Sequence, residues 1–329
     1  MMTWPEAMGL VVIDGLVIVV LAVTGFRTAV FTAVPPALKS AIAVGIGAFI
    51  ALIGLVDAGF VRRLPDAANT TVPVGLGIGG SIASWPTAVF VLGLLITGVL
   101  VVRGVRAGLL LGVAITTVIA IVVEAIAQVG SSATNPEGWA LSVPRLPDSI
   151  VGLPDLSLVG DVSFGAFARL DVLTVVLLIF TLVLANFFDA MGTMTGLGRQ
   201  AGLTDGDGQL PNVGKALVVE GAGAVAGGLG SASSNTVFVE SASGIAEAMM
   251  FRQVDGIDLS DLRTALPAFL TVVVMPFTYS IANGIGAGFI TYVLLAATTG
   301  RARTVHPLMW VVAVAFVGNF AIGPLRSLL

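Results

Sequence analysis

The chain reads as an all-α membrane protein that crosses the bilayer several times, and three observations predict it. Of its 329 residues 57% are hydrophobic and 10% charged, against about 25% charged in ordinary soluble domains. Its mean hydropathy is +1.05, and several apolar runs approach the ~20 residues that a helix needs to cross the hydrocarbon core. Its 41 glycines suit helices packed closely in lipid, where small residues let backbones approach. Cysteine is absent, which excludes disulfides and thiolate metal sites. With a net charge of −4 and no basic tract, no nucleic-acid partner is expected. No nucleophile–base pair or metal cluster stands out, so neither an enzyme nor a cofactor is expected.

The first apolar run, about 7–24, carries Asp14 in its middle. An ionised group at membrane depth is costly and faces protein or a cavity; a structural hydrogen bond is the expectation for Asp14. Pro35-Pro36 then opens a second run that ends near residue 56, since proline at a helix start sacrifices no hydrogen bond. Two more runs, about 87–102 and 107–127, are joined by a tight turn with Arg103 and Arg106, and Glu124 closes the second at an interface. Residues 130–168 hold Pro136, Pro144, Pro147 and Pro154 and form the main extramembrane loop. The run at about 170–197 contains Asp189. A short small-residue helix with Glu220 follows at about 214–230, and three further runs lie near 266–281, 287–298 and 308–322.

The segment from Phe187 to Glu240 organises the rest. Two carboxylates, Asp189 and Glu240, end segments otherwise apolar enough to span. Around Glu240 cluster Ser231, Ser233, Ser234, Asn235, Thr236, Ser241 and Ser243. Such residues accompany unwound backbone, tolerated at membrane depth where it lines a water-filled site. These residues also carry a resemblance. Phe187-Phe188-Asp189-x-x-Gly192-Thr193, followed by Asn235-Thr236-x-x-x-Glu240-Ser241-x-x-Gly244, resembles the xanthine/uracil permease (nucleobase–cation symporter) superfamily. Within it the chain is most similar to the Azg-like branch of guanine, hypoxanthine and adenine permeases. Pro267, Met275-Pro276-x-Thr278, Asn283-Gly284 and Gly300-Arg301 fit the same branch, so the likeness covers nearly the whole chain.

The resemblance implies an inverted-repeat fold of core and gate helices, in which discontinuous segments hold a purine nucleobase near the midplane. It implies core-like helices at about 5–24 and 168–250, gate-like helices at about 33–128 and 262–322, and a discontinuous helix near Glu240. It makes Asp189 and Glu240 the residues that bind the purine and couple it to a proton. Phe187, Phe188, Thr193, Asn235, Thr236 and Ser241 would line the substrate. The family's glycine-rich opening segments have no counterpart here, and the text passes from Gly244-Ile245-Ala246-Glu247 directly to Ala248, where the family continues through a turn and two more segments. The expectation is a truncated, internally deleted relative that does not transport purine alone. The alternatives are a non-transporting remnant and a subunit that completes itself as a homo-oligomer. An anion transporter of the same fold is disfavoured, because two site acids would repel its substrate.

Alternating the spans places Arg27, Lys39, Arg103, Arg106, Arg199 and Lys215 on one side, taken as cytoplasmic in a cell membrane. Arg62, Arg63, Arg145 and Arg169 fall on the other. Ala107-Gly108-Leu-Leu and Ala287-Gly288-Phe-Ile form a weak internal echo that suits an inverted repeat. Gly221-Ala-Gly223-Ala-Val-Ala226 matches a dinucleotide fingerprint as a string, but without a βαβ context it reads as helix packing. His306, the single histidine, precedes Pro307 and reads as interfacial rather than as a proton relay.

Overall fold

The structure, a computed structural model, describes residues 2–63, 74–147, 152, 154–200, 202–203, 210, 212–235 and 252–326. Eleven α-helices run through the described residues, in the order α1 (Trp4–Val23), α2 (Phe26–Ala33), α3 (Pro36–Asp57), α4 (Trp85–Val102), α5 (Gly108–Ala127), α6 (Ala166–Arg169), α7 (Val172–Gln200), α8 (Val213–Leu229), α9 (Leu262–Thr278), α10 (Ile281–Thr298) and α11 (Pro307–Arg326). Six are long and apolar enough to cross a membrane: α1, α3, α4, α5, α7 over Val172–Met194, and α10. Their ends follow helix chemistry. Pro5 and Pro36 stand at the starts of α1 and α3. Ser84, Asp261 and Ser280 cap α4, α9 and α10 by accepting from Thr87, Arg263 and Asn283 backbone N–H groups.

By contact, one compact unit takes in Met1–Ala48, Pro154–Ala242 and Ala248–Leu329, and another takes in Phe49–Leu153. In the second unit, α4 and α5 form a hairpin in which Gly93 faces Thr116 and Gly112 faces Thr97. Each threonine turns its hydroxyl onto the carbonyl four residues back, so these polar groups are satisfied where the helices meet. The outer faces are apolar and bare: Val102 is 86% exposed, Ile126 80% and Leu110 70%. Exposed apolar area of that extent belongs against lipid rather than water. Glu124 ends α5 as expected, its carboxylate accepting from the Val129 and Gly130 backbone N–H groups and from Trp139 Nε1.

In the first unit, α1 packs along α8 through glycines. A Cβ on Gly15 would stand 2.6 Å from Val225 N, and one on Gly228 would stand 3.0 Å from Val12 N. Gly221 faces Ile18 and Val19, so the glycine string in α8 serves helix packing. α9 and α10 pair the same way, Gly284 and Gly288 facing Thr271 and Met275 or Pro267. Phe188 of α7, Phe289 of α10 and Phe316 of α11 meet with ring centroids 5.2–6.1 Å apart.

Three features depart from the expectation. α2, which lies outside every expected apolar run, is a helix of eight residues. An antiparallel pair, β1 (Val61–Arg63) and β2 (Val74–Leu76), stands in a chain expected to be all-α. Arg27 and Lys39, taken as loop cations, are 1% and 5% exposed. Each has a local reason: Arg27 pairs with an acid, and Lys39 lies over the Phe31 ring at 4.6 Å. Removing them leaves four cations in each charge set, so the charge asymmetry that oriented the chain disappears. His306 is exposed ahead of α11, its Nδ1 accepting from Leu308 N.

Candidate functional site

The polar residues of the first unit converge where α1, α2, α7 and α8 meet. α2 begins at Gly25, whose φ of +76° turns the chain sharply after α1 and aims Arg27 inward. Arg27 Nη2 stands 2.7 Å from Glu220 Oε2 of α8, both side chains at most 2% exposed. The contact is short but off-axis for a hydrogen bond. The guanidinium is held further by the Leu217 and Phe187 carbonyls, at 3.4 and 3.5 Å, and lies 5.0 Å from the Phe187 ring centroid. One cation thus ties α2, α7 and α8 together.

Next to this pair lies a second polar contact. Asp14, in the middle of α1 and 2% exposed, accepts from Asn186 Nδ2 of α7 at 3.1 Å. The same Asn186 amide contacts Ser234 Oγ. Asp14 therefore makes the hydrogen bond the sequence suggested. Glu220 feels the charges of Arg27, Asp189 and Asp14 together, so the acids form one electrostatic neighbourhood.

The predicted site residues divide into those described and those not. Asp189 is half-buried on α7, one turn beyond Asn186. Phe187 and Phe188 touch edge to face at 4.8 Å. Both line an apolar cavity of about 390 Å³ with Val17, Leu21, Phe180 and Val312. Thr193 is buried and turns its hydroxyl onto the Asp189 and Ala190 carbonyls. Asn235 donates to the Gly223 carbonyl at 3.1 Å, and Ser233 O crowds Gly227, so residues 233–235 run back along the glycine face of α8. Glu240, Thr236 and Ser241 lie outside the described residues, as do the expected helix break near Glu240 and the Glu247–Ala248 junction.

Sequence reasoning missed Arg27, Asn186 and Glu220 as members of this cluster. Glu220 carried a signal, being an acid inside a Gly/Ala helix. Arg27 and Asn186 carried little, because their partners stand 193 and 172 positions away in the chain.

A model of a permease family, the xanthine/uracil type, matches residues 2–254. Among similar proteins, one of Methanocaldococcus jannaschii, named only as a candidate permease, is 33% identical over 96% of this chain and 76% of its own length. The guanine/hypoxanthine permease PbuG of Bacillus subtilis is 31% identical over 97% of this chain and 76% of its own. The adenine permease AdeP of Escherichia coli is 27% identical over 95% and 74%. The first of these alignments runs over 366 positions, so about 50 of them have no residue in this 329-residue chain.

Proposed function

This chain belongs to the xanthine/uracil permease family and is a multi-pass membrane transporter rather than an enzyme, and from that premise we propose that it carries a purine nucleobase, hypoxanthine, guanine or adenine, together with a proton. Asp189 and Glu240 are the proposed binding and coupling acids. Purine ring N–H groups are donors and an ionised carboxylate is acceptor-only, so the two are matched. Phe187, Phe188, Thr193, Asn235, Thr236 and Ser241 are proposed to surround the base, with helices at about 5–24 and 168–250 as the core and those at about 33–128 and 262–322 as the gate.

The observation that carries the reading is the cluster of buried Asp14, Arg27, Asn186 and Glu220, with half-buried Asp189 beside it, inside a unit whose helices are largely apolar. Ionisable groups gathered at membrane depth mark a substrate or proton path. The test is uptake of labelled hypoxanthine, guanine, adenine and uracil by a permease-deficient host expressing this chain. Glu240→Gln should weaken purine affinity by roughly ten- to a hundredfold, the worth of one charge-assisted hydrogen bond; unchanged affinity would remove Glu240 from the site. Asp189→Asn should lower proton-driven accumulation more than it lowers equilibrium exchange. Equal loss of both would leave Asp189 a binding or structural residue.

A second reading has its own observation. About 50 alignment positions lack a counterpart here, which is length enough for two membrane helices. On that reading the chain binds purine poorly or not at all until a second copy or the absent segments complete it. Saturable, proton-dependent uptake by the chain alone, at matched membrane levels, would dismiss this alternative.

A further inference from the structure

We propose that Asp14 is an additional proton-carrying group of this transporter, joined through the Asn186 amide both to α7 and to the stretch that leads towards Glu240. The proposal rests on the transport reading above and names a group that reading does not use. Asp14 and Asn186 already share one hydrogen bond, Nδ2 to Oδ2 at 3.1 Å. Their two other oxygens, Asp14 Oδ1 and Asn186 Oδ1, are both buried and find no donor among the described residues. Two acceptors cannot satisfy each other. A proton on Asp14 Oδ1 turns that oxygen into a donor, and the partner we assign it is Asn186 Oδ1, while Asn186 Nδ2 continues to donate to Asp14 Oδ2. A carboxylic acid and a primary amide pair in this two-bond ring, and the structure holds one of its two bonds.

Charge argues the same way. The elements packed against α1 present Arg27 from α2, Asn186 and Asp189 from α7, Glu220 from α8 and Arg169 from α6. Arg169 is held by Glu6 at 3.1 Å, eight residues from Asp14, or about 12 Å along the helix. Arg27 is held by Glu220. Glu220 and Asp14 thus share one guanidinium, and among the described residues an ionised Asp14 has no cation of its own. Burying such a charge is costly, and a bound proton removes the cost. Proton uptake forms the O–H on Oδ1 and removes the negative charge. Release returns the proton to water and leaves the carboxylate held, among the described residues, by the Asn186 Nδ2 hydrogen bond. Because that nitrogen also contacts Ser234 Oγ, each change of state reaches residues 231–235.

The test is infrared difference spectroscopy of the full chain in lipid, stepped between acid and alkaline pH, which reads a protonated carboxyl directly and does not require transport. A carboxyl band that titrates in the parent, disappears in Asp14→Asn and shifts in Asp14→Glu is the expected result. A band identical in all three overturns the proposal. Should Asp14→Asn fail to fold, an Asp14→Glu spectrum matching the parent also overturns it. In cells, Asp14→Asn should lower pH-driven hypoxanthine accumulation by about 5- to 150-fold more than it lowers exchange, the usual range for coupling between two sites. If the parent shows no uptake, the transport reading fails while the infrared result still decides the role of Asp14.

Discussion

Arg27→Met is expected to destabilise the folded protein by about 3–5 kcal/mol, because it strands Glu220 as a buried charge without its partner. Nothing at the surface relieves this: the Arg27 and Glu220 side chains are 1% and 2% exposed. The loss is compounded because the guanidinium also serves the Leu217 and Phe187 carbonyls and the Phe187 ring. Arg27→Met combined with Glu220→Leu should recover most of the stability, since removing a buried pair together is often neutral or stabilising by about 1–4 kcal/mol. Reversible unfolding in mixed detergent, followed by tryptophan fluorescence, gives the double-mutant cycle. A single Arg27→Met change that costs under about 1 kcal/mol would mean that Glu220 is satisfied without Arg27, and the pair would lose its role as the tie between α2 and α8.

The ion pair matters to the proposed function through position. α7 carries Asp189 and α8 leads into residues 231–235, which approach Glu240 in sequence. Arg27 holds the two helices from a third, and Asn186 does the same from α7 towards α1 and Ser234. Asp189 is thereby mounted on a helix fixed by polar contacts rather than by apolar packing alone. In lipid this distinction has weight, since the surroundings are as apolar as leucine and helix association leans on close packing and hydrogen bonds.

Much of this architecture was legible from residue patterns. Length and hydropathy located α1, α3, α4, α5, α7, α10 and α11, because spanning a bilayer imposes a length that few other structures need. The hydrogen bond expected of Asp14 is present, because an acid in mid-span needs a polar partner wherever in the chain that partner lies. α2 escaped because eight residues interrupted by Arg27, Thr28 and Thr32 resemble a polar connection more than a helix. Its Arg27 finds Glu220, a contact between positions 193 apart that no periodicity encodes. Counting Arg27 and Lys39 as loop cations failed for the same reason: a charge rule assumes solvent, and both had protein partners. Asp189 was picked out by its place after a full apolar span; Asn186, three residues earlier on the same helix, looked like an ordinary polar interruption.

The other large effect is expected at a glycine. Gly15→Leu should break the α1–α8 contact, and Gly15→Ala alone should cost about 1–3 kcal/mol by overpacking. The reason lies in what the added carbon meets. A Cβ at Gly15 would stand 2.6 Å from Val225 N and 3.0 Å from Ala224 C, both backbone atoms of α8 that no rotamer change can move aside. The same contact is close at Gly228, where Val12 N and Met8 O lie 3.0 and 3.2 Å from the added carbon, and at Gly221, where Val19 N lies at 3.0 Å. Leucine at position 15 must therefore push the helices apart along their length. That separation would pull Asp14 on α1 away from the cluster that includes Glu220 on α8, exposing polar groups at membrane depth and adding their cost to that of the lost packing. Gly318 on α11 is the matched control, because nothing stands within 4 Å of its added Cβ and it is exposed. Gly318→Leu should stay within about 0.5 kcal/mol, as surface changes do, and Gly318→Ala should gain up to ~1 kcal/mol from helix propensity. Unfolding midpoints and membrane levels of the four variants, measured side by side, check the contrast. Gly15→Leu tolerated as well as Gly318→Leu would show that α1 and α8 do not meet backbone to backbone.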